Sequence, residues 1–452
     1  MRVRLRAVHL ALLLALVVPR SMVAQHGNLS LVDAVQRRDE PSLLALLRAK
    51  TDVDAAQPDG ATALAWAVHL GERRMAEALL EAGANVNVAD EYGETPLTLA
   101  AANADTALIQ RLLDLGARAG VSRWNGESAL MIAAGTGSVE AERLLARHGA
   151  NVNAAEPRRG QTALMWAAAE GHSASVKALI DLGADVNAAS KSGFTALAFA
   201  VSKDDIESAR MLLVAGLDPN LLLPSGNRLL TMAMKLGNRA SALALVVGGA
   251  DIRAVDRGGN SPLHIATQAG DVELVKALLA RGADVNVRTP AARAVVNRAR
   301  DGGRVFGGGG SKTPLMMAAQ ANQLHVMRVL VAAGADPSLK TDHGSTLLMF
   351  GAGGKLDTVK YVFELDPHLH VVDVQGQTPM HAAISAAVPR TQAEVCEVNQ
   401  FLADKGAALD ELDAAGRTAL SIADGPPIDK AVELLTALII KSGTTPKIPS
   451  KR

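Results

Sequence analysis

Between residues 162 and 187 the apolar positions fall into two short stripes. Leu164, Ala167 and Ala168 stand at i, i+3 and i+4, and Val176, Leu179 and Ile180 repeat that arrangement further along. This spacing puts side chains on one face of an α-helix, so two amphipathic helices are predicted. Gly171, between them, ends the first by adopting a left-handed conformation. Thr162 occupies the N-cap position, where its hydroxyl can accept from a free first-turn amide. Gly183, followed by Ala-Asp-Val-Asn, leads out into an extended, hairpin-like connection. Helices this short are marginal alone, so each stripe has to be buried against a neighbouring copy.

Copies are present. The start of the pattern recurs at Thr62, Thr95, Ser128, Thr162, Thr195, Arg228, Ser261, Thr313, Thr346, Thr378 and Thr418, with successive spacings of 33, 33, 34, 33, 33, 33, 52, 33, 32 and 40. Pro96, Pro262, Pro314 and Pro379 follow the start residue, where a missing N–H has no partner to lose. A period of 33 opened by Thr-Pro/Ala-Leu, together with the segment TALMWAAAEGH at 162–172 and LIDLGADVN at 179–187, resembles the ankyrin repeat. The resemblance spans roughly residues 28–440. It implies an all-α ankyrin-repeat solenoid of about eleven helix-turn-helix units plus a degenerate N-terminal cap, with short β-hairpin-like connections. The expected layout is a signal peptide at 1–24, the cap at 25–56, repeats one to seven at 57–286, an insertion at 287–312, repeats eight to eleven at 313–440 and a disordered tail at 441–452.

Departures from the pattern mark weak points. Residues 28–56 carry Leu31, Val32, Val35, Leu43, Leu44, Leu46 and Leu47 but no Thr-Pro-Leu start. The unit at Arg228 lacks a capping Thr, and the unit at Thr346 holds Gly351, Gly353 and Gly354; both are expected to be locally less stable. Pro426 and Pro427 interrupt the last unit.

Composition agrees with close-packed helices. The chain has 452 residues and is 49% hydrophobic, yet holds only six Phe, three Trp and two Tyr. That scarcity argues against β architecture and against base-stacking surfaces. Lys plus Arg and Asp plus Glu are both 46, so no global basic field recruits nucleic acid. Arg2, Arg4 and Arg6 precede an apolar run at residues 7–18, which reads as a secretory signal cleaved after Ala24. Cleavage removes four Arg, leaving 42 positive against 46 negative groups and a net charge of −4. The expected location is periplasmic or secreted, with no membrane span after signal removal. The mature chain is expected to be monomeric.

The two long spacings mark insertions. The first holds Arg288, Arg293, Arg298, Arg300, Arg304 and Lys312 against Asp301, a local charge of +5. It reads either as a solvated loop or as a contact for an acidic partner. Its end, GGGGSKT at 307–313, departs from a phosphate loop at Phe306 and Ser311, and Thr313 is already a helix start. The second insertion contains Cys396, the only cysteine. Glu394 and Glu397 beside it supply no electropositive field to activate a thiol, so it is expected to be a small apolar residue.

No catalytic or metal-binding motif is found, so no enzyme activity, cofactor or metal is expected. His264, His381 and His172 sit where the family resemblance implies backbone hydrogen bonds between units, and Trp66 and Trp166 where partial burial is expected. The resemblance also implies protein partners, held by hairpin tips and by the concave face of the first helices. Carried onto this chain, the tip positions are Tyr92, Glu94, Trp124, Asn125, Arg158, Arg159, Lys191, Phe194, Asn227, Arg257, Asn260 and His343. Tyr92, Trp124 and Phe194 stand beside turn glycines, and aromatic and Arg side chains are enriched at binding hot spots. The functional expectation is an exported, non-catalytic interaction scaffold for one or more proteins. The alternatives are an exported effector or toxin, and an accessory protein whose activity lies in the 287–312 insertion.

Overall fold

A computed structural model describes residues 30–223, 226–291, 310–384, 391–422 and 429–443. The 1–24 leader, Arg293 to Arg304 of the basic insertion, Pro426 and Pro427, and the tail from 444 lie outside the described residues. The described residues form helix pairs in two compact units, one ending at Trp124 and the other beginning at Asn125.

In the first unit the pairs are α1 (Leu31–Gln36) with α2 (Glu40–Arg48), α3 (Ala63–His69) with α4 (Arg73–Glu81), and α5 (Pro96–Ala102) with α6 (Thr106–Asp114). The second unit starts with α7 (Ala129–Thr136) and α8 (Val139–Arg147), α9 (Ala163–Glu170) and α10 (Ser173–Asp181), then α11 (Ala196–Lys203) and α12 (Ile206–Val214). It continues with α13 (Leu229–Leu236) and α14 (Arg239–Val247), α15 (Pro262–Ala269) and α16 (Val272–Ala280), α17 (Pro314–Gln320) and α18 (Leu324–Ala332). The last pairs are α19 (Leu347–Gly351) and α20 (Leu356–Leu365), α21 (Pro379–Ile384) and α22 (Gln392–Asp404), and α23 (Ala419–Ile422) and α24 (Asp429–Lys441).

Within each unit first helices pack on first helices and second on second, as in α1 on α3, α7 on α9, α8 on α10 and α10 on α12. Leu164, Ala167, Ala168, Val176 and Leu179, the stripes read from the sequence, are buried. Alanine dominates the first helices because a small side chain lets neighbouring backbones approach. Most first-helix starts are capped as expected: Thr62 Oγ1 accepts from the Ala65 amide at 3.2 Å and Thr162 Oγ1 from the Met165 amide at 3.4 Å, whereas Thr195 makes no side-chain cap bond. Gly171 ends α9 with φ +79°, and Asp204, with φ +60°, does the same for α11. The connections are hairpin-like, with single antiparallel bridges such as Ala56 to Thr62 and Ala155 to Thr162 and no strand among the described residues.

The departures have physical explanations. The cap unit does have a helix start, because Ser30 forms a capping box with Asp33. Arg228 makes no cap bond, and its guanidinium instead donates to the Asn220 carbonyl at 2.7 Å. In the glycine-rich unit one glycine has a packing role. Gly351 lies under α20 so closely that an added Cβ would sit 2.7 Å from Val362 Cγ2, so this glycine serves packing.

The large insertion leaves the stack continuous. Thr289 N donates to Lys312 O at 3.0 Å and Lys312 N returns to Thr289 Oγ1 at 3.0 Å, closing a neck. Beyond it Asp336 N donates to Asn286 Oδ1 at 2.9 Å, and α15 packs on α17 and α16 on α18. The smaller insertion lengthens a helix: α22 has 13 residues where α20 has ten and α18 nine.

Candidate partner-binding surface

The tips of the connections are built by short side chains that accept from their own backbone. Asp90 Oδ1 accepts from the amides of Tyr92 at 2.9 Å and Glu94 at 2.8 Å. Glu156, buried, takes the amides of Arg158 at 2.7 Å, Arg159 at 2.8 Å and Gln161 at 3.0 Å. Asp256 holds Gly258 and Asn260 at 2.8 and 2.9 Å, and Ser190 Oγ holds the Phe194 amide at 3.0 Å.

Neighbouring tips are then joined through the backbone. Glu91 N donates to Asp59 O at 2.7 Å, Trp124 N to Tyr92 O at 3.0 Å, Lys191 N to Arg159 O at 2.8 Å and Val374 N to His343 O at 2.9 Å. The backbone of such tips is fixed before any partner arrives, which lowers the part of the ordering cost of binding that the backbone would contribute.

The structure brings Tyr92 and Trp124 together on consecutive tips of the first unit, 52% and 74% exposed. Glu94 is occupied: its carboxylate pairs with the Arg123 guanidinium at 2.6 Å and accepts from the Thr98 hydroxyl at 2.8 Å. In the second unit Asn125 is half-buried and caps its own turn through the Glu127 amide at 3.1 Å. Arg158, Arg159 and Lys191 are exposed together, and the Lys191 ammonium reaches the Pro157 carbonyl. Phe194 is half-buried against Phe199, with ring centroids 5.8 Å apart, so it contributes to packing as well. Asn227 and His343 are half-buried, Arg257 is exposed, and Asn260 turns its amide toward Asp256 at 3.4 Å.

Tip residues missed in the sequence are aliphatic. Leu222, Val255, Val372, Val374 and Leu412 are all exposed. Four of them occupy the position just before the tip residue, where other repeats have Ala89, Ser122, Ala155 and Ala189. Comparing that one column across repeats would have found them.

The remaining candidate chemistry is structural. His264 Nδ1 lies 2.9 Å from Ser261 Oγ and its Nε2 3.1 Å from Lys312 O; burial holds its pKa below the usual histidine value. His381 bridges Thr378 and Arg417 in the same way, and His172 Nε2 meets Gly135 O at 3.1 Å. Trp66 is half-buried and donates to Gln57 at 2.9 Å, while Trp166 lies against Gly135. Burial raises the Cys396 thiol pKa, the direction of an unreactive thiol. Thr313 caps α17 through the Met316 amide at 3.3 Å, so this hydroxyl is a helix cap. Among the described residues no cluster of His, Cys, Asp or Glu could hold a metal, and no helix is long and apolar enough to cross a membrane.

Stacked helix pairs with rigid, side-chain-bearing tips define the class of helical-repeat binding proteins. Family models agree on which one. The model for ankyrin repeats in three copies matches residues 31–123, 99–190, 158–222 and 197–289, and the single ankyrin repeat model matches 311–342. The chain belongs to the ankyrin repeat family. Ankyrin repeats imply a protein–protein interaction scaffold, a class that is typically non-catalytic.

Proposed function

We propose that this chain is an exported, non-catalytic scaffold that binds one or more proteins through its hairpin tips and the faces of its first helices. One observation carries the reading: the tips are fixed by their own hydrogen bonds, yet Tyr92, Trp124, Arg158 and Arg159 extend from them into solvent. Stability does not call for large side chains at such positions, whereas recognition does. Export rests on the basic and apolar leader at 1–24.

Affinity capture from the native periplasm, read by mass spectrometry, tests the scaffold role. The wild-type chain is expected to enrich a defined protein, and the Tyr92→Ala, Trp124→Ala, Phe194→Ala variant to lose it while keeping its helicity. Equal capture by that variant would reject these tips. The secreted or periplasmic chain is expected to begin at Gln25; an intact leader on the mature protein would refute cleavage.

A further inference from the structure

Trp124 and Tyr92 are exposed aromatic residues on consecutive tips that are joined through the backbone. Trp124 N donates to Tyr92 O at 3.0 Å, and between them Gly93 is pressed so near that an added Cβ would lie 2.8 Å from Trp124 N. Separating the two tips would break this bond and the close packing at Gly93.

Their surroundings are acidic. Segments 57–60, 90–94 and 123–124 carry Asp59, Asp90, Glu91 and Glu94 against Arg123 alone, a net charge of −3. Arg123 is committed to Glu94, Asp90 accepts from two tip amides through one oxygen, and Asp59 Oδ1 accepts from the Ala61 amide at 3.0 Å, leaving its other oxygen to a ligand. Glu91 is exposed, adjoins Tyr92 in the chain and donates its amide to the Asp59 carbonyl at 2.7 Å; the Glu91 carboxylate first, then burial, Asp59 and Asp90, raise the phenol pKa above its ordinary value. The backbone thus brings Asp59 and Glu91 to the same run of tips as Tyr92 and Trp124.

We propose that this pair of tips docks a cationic segment of a partner protein, seating a Lys or Arg side chain against the Trp124 and Tyr92 rings with its charge met by Glu91 and Asp59. A cation gains from the ring quadrupole and from the carboxylates together. An apolar segment would have to desolvate the exposed Glu91 carboxylate without pairing its charge, and an anionic one would be repelled. The proposal rests on the scaffold reading and specifies what one of its surfaces recognises.

The test uses the full-length chain and fluorescein-labelled peptides in anisotropy titrations: a Lys/Gly/Leu peptide and its Glu/Gly/Leu counterpart. The lysine peptide is expected to bind, and the charge-preserving Tyr92→Ala, Trp124→Ala variant to bind it about tenfold more weakly, a few-fold per ring. Glu91→Gln with Asp59→Asn is expected to weaken it by roughly threefold and to flatten the salt dependence. Unchanged lysine-peptide affinity in the aromatic variant overturns the proposal, as does an equal loss for the glutamate peptide. These outcomes are distinguishable from failure of the scaffold reading. If native-partner capture survives Tyr92→Ala, Trp124→Ala while the lysine peptide fails to bind, the scaffold stands and this surface does not. If the wild-type chain captures nothing, the scaffold reading itself fails.

Discussion

Replacing Glu142 with methionine is expected to stabilise the second unit, and to do so increasingly as pH rises. Glu142 lies on α8 with 0% of its surface exposed, and neither carboxylate oxygen accepts a hydrogen bond of normal geometry. It occupies the column that continues as Ser175, Ser208 and Ser241 on α10, α12 and α14, all buried. Burial raises its pKa above the usual Glu value, opposed by the nearby Ser175 hydroxyl and by Arg143. Of the helices packed on α8, α7 has no charged residue, and α10 has the exposed Lys177–Asp181 pair. With its pKa raised on folding, the native state binds more protons than the unfolded state. Stability is therefore greatest below the unfolded Glu pKa and falls as pH climbs to the raised folded value, by at most about 1.4 kcal/mol per pH unit. Methionine has similar volume and no charge, so Glu142→Met should remove that slope and add about 1–3 kcal/mol near pH 8, the typical cost of an unsatisfied buried polar group. Urea denaturation from pH 5 to 8, with hydrogen exchange of α8 and α10 amides as the local readout, measures it. An equal gain at pH 5 and pH 8 would show that Glu142 is not the titrating group. A variant less stable at pH 8 would show that the buried carboxylate is paired after all.

Two further substitutions test the packing account by urea denaturation. Gly351→Ala, which normally favours a helix by up to about 1 kcal/mol, is expected to destabilise by about 1–3 kcal/mol because its Cβ would meet Val362 Cγ2 at 2.7 Å; a gain in stability would refute the packing role. Arg228→Thr supplies the missing cap, about 1 kcal/mol, but gives up the 2.7 Å bond to Asn220. A net gain of up to about 1 kcal/mol is expected, and a loss would mean that the Asn220 bond outweighs the cap.

Much of the fold was legible because the 33-residue period carries its own punctuation. Thr162, Gly171 and the stripe from Leu164 to Ala168 each do in the structure what their spacing implies. What escaped was of two kinds: a local capping signal passed over because it lacks the repeat's usual residues, and packing between successive helices. Ser30 starts the cap unit without a Thr-Pro-Leu signal, and Gly351 reads as a weak helix residue until Val362 is seen above it. The surface was legible in part. Tyr92 and Trp124 stand exposed as the turn glycines suggested, but Glu94 is taken up by Arg123 of the next repeat and Phe194 leans on Phe199 of the helix it precedes.

The neck at Thr289 and Lys312 separates the length of the first insertion from the integrity of the array. Once two backbone strands are clasped there, enlarging the loop adds only closure entropy, about 0.6 kcal/mol for each doubling of length. His264 reaches the same Lys312 carbonyl at 3.1 Å, so the clasp is anchored to the preceding helix start. The site is thus a splice port. A change in loop length would fall between the two clasped segments, while the Asn286–Asp336 bond and the helix contacts on either side keep the repeats in register.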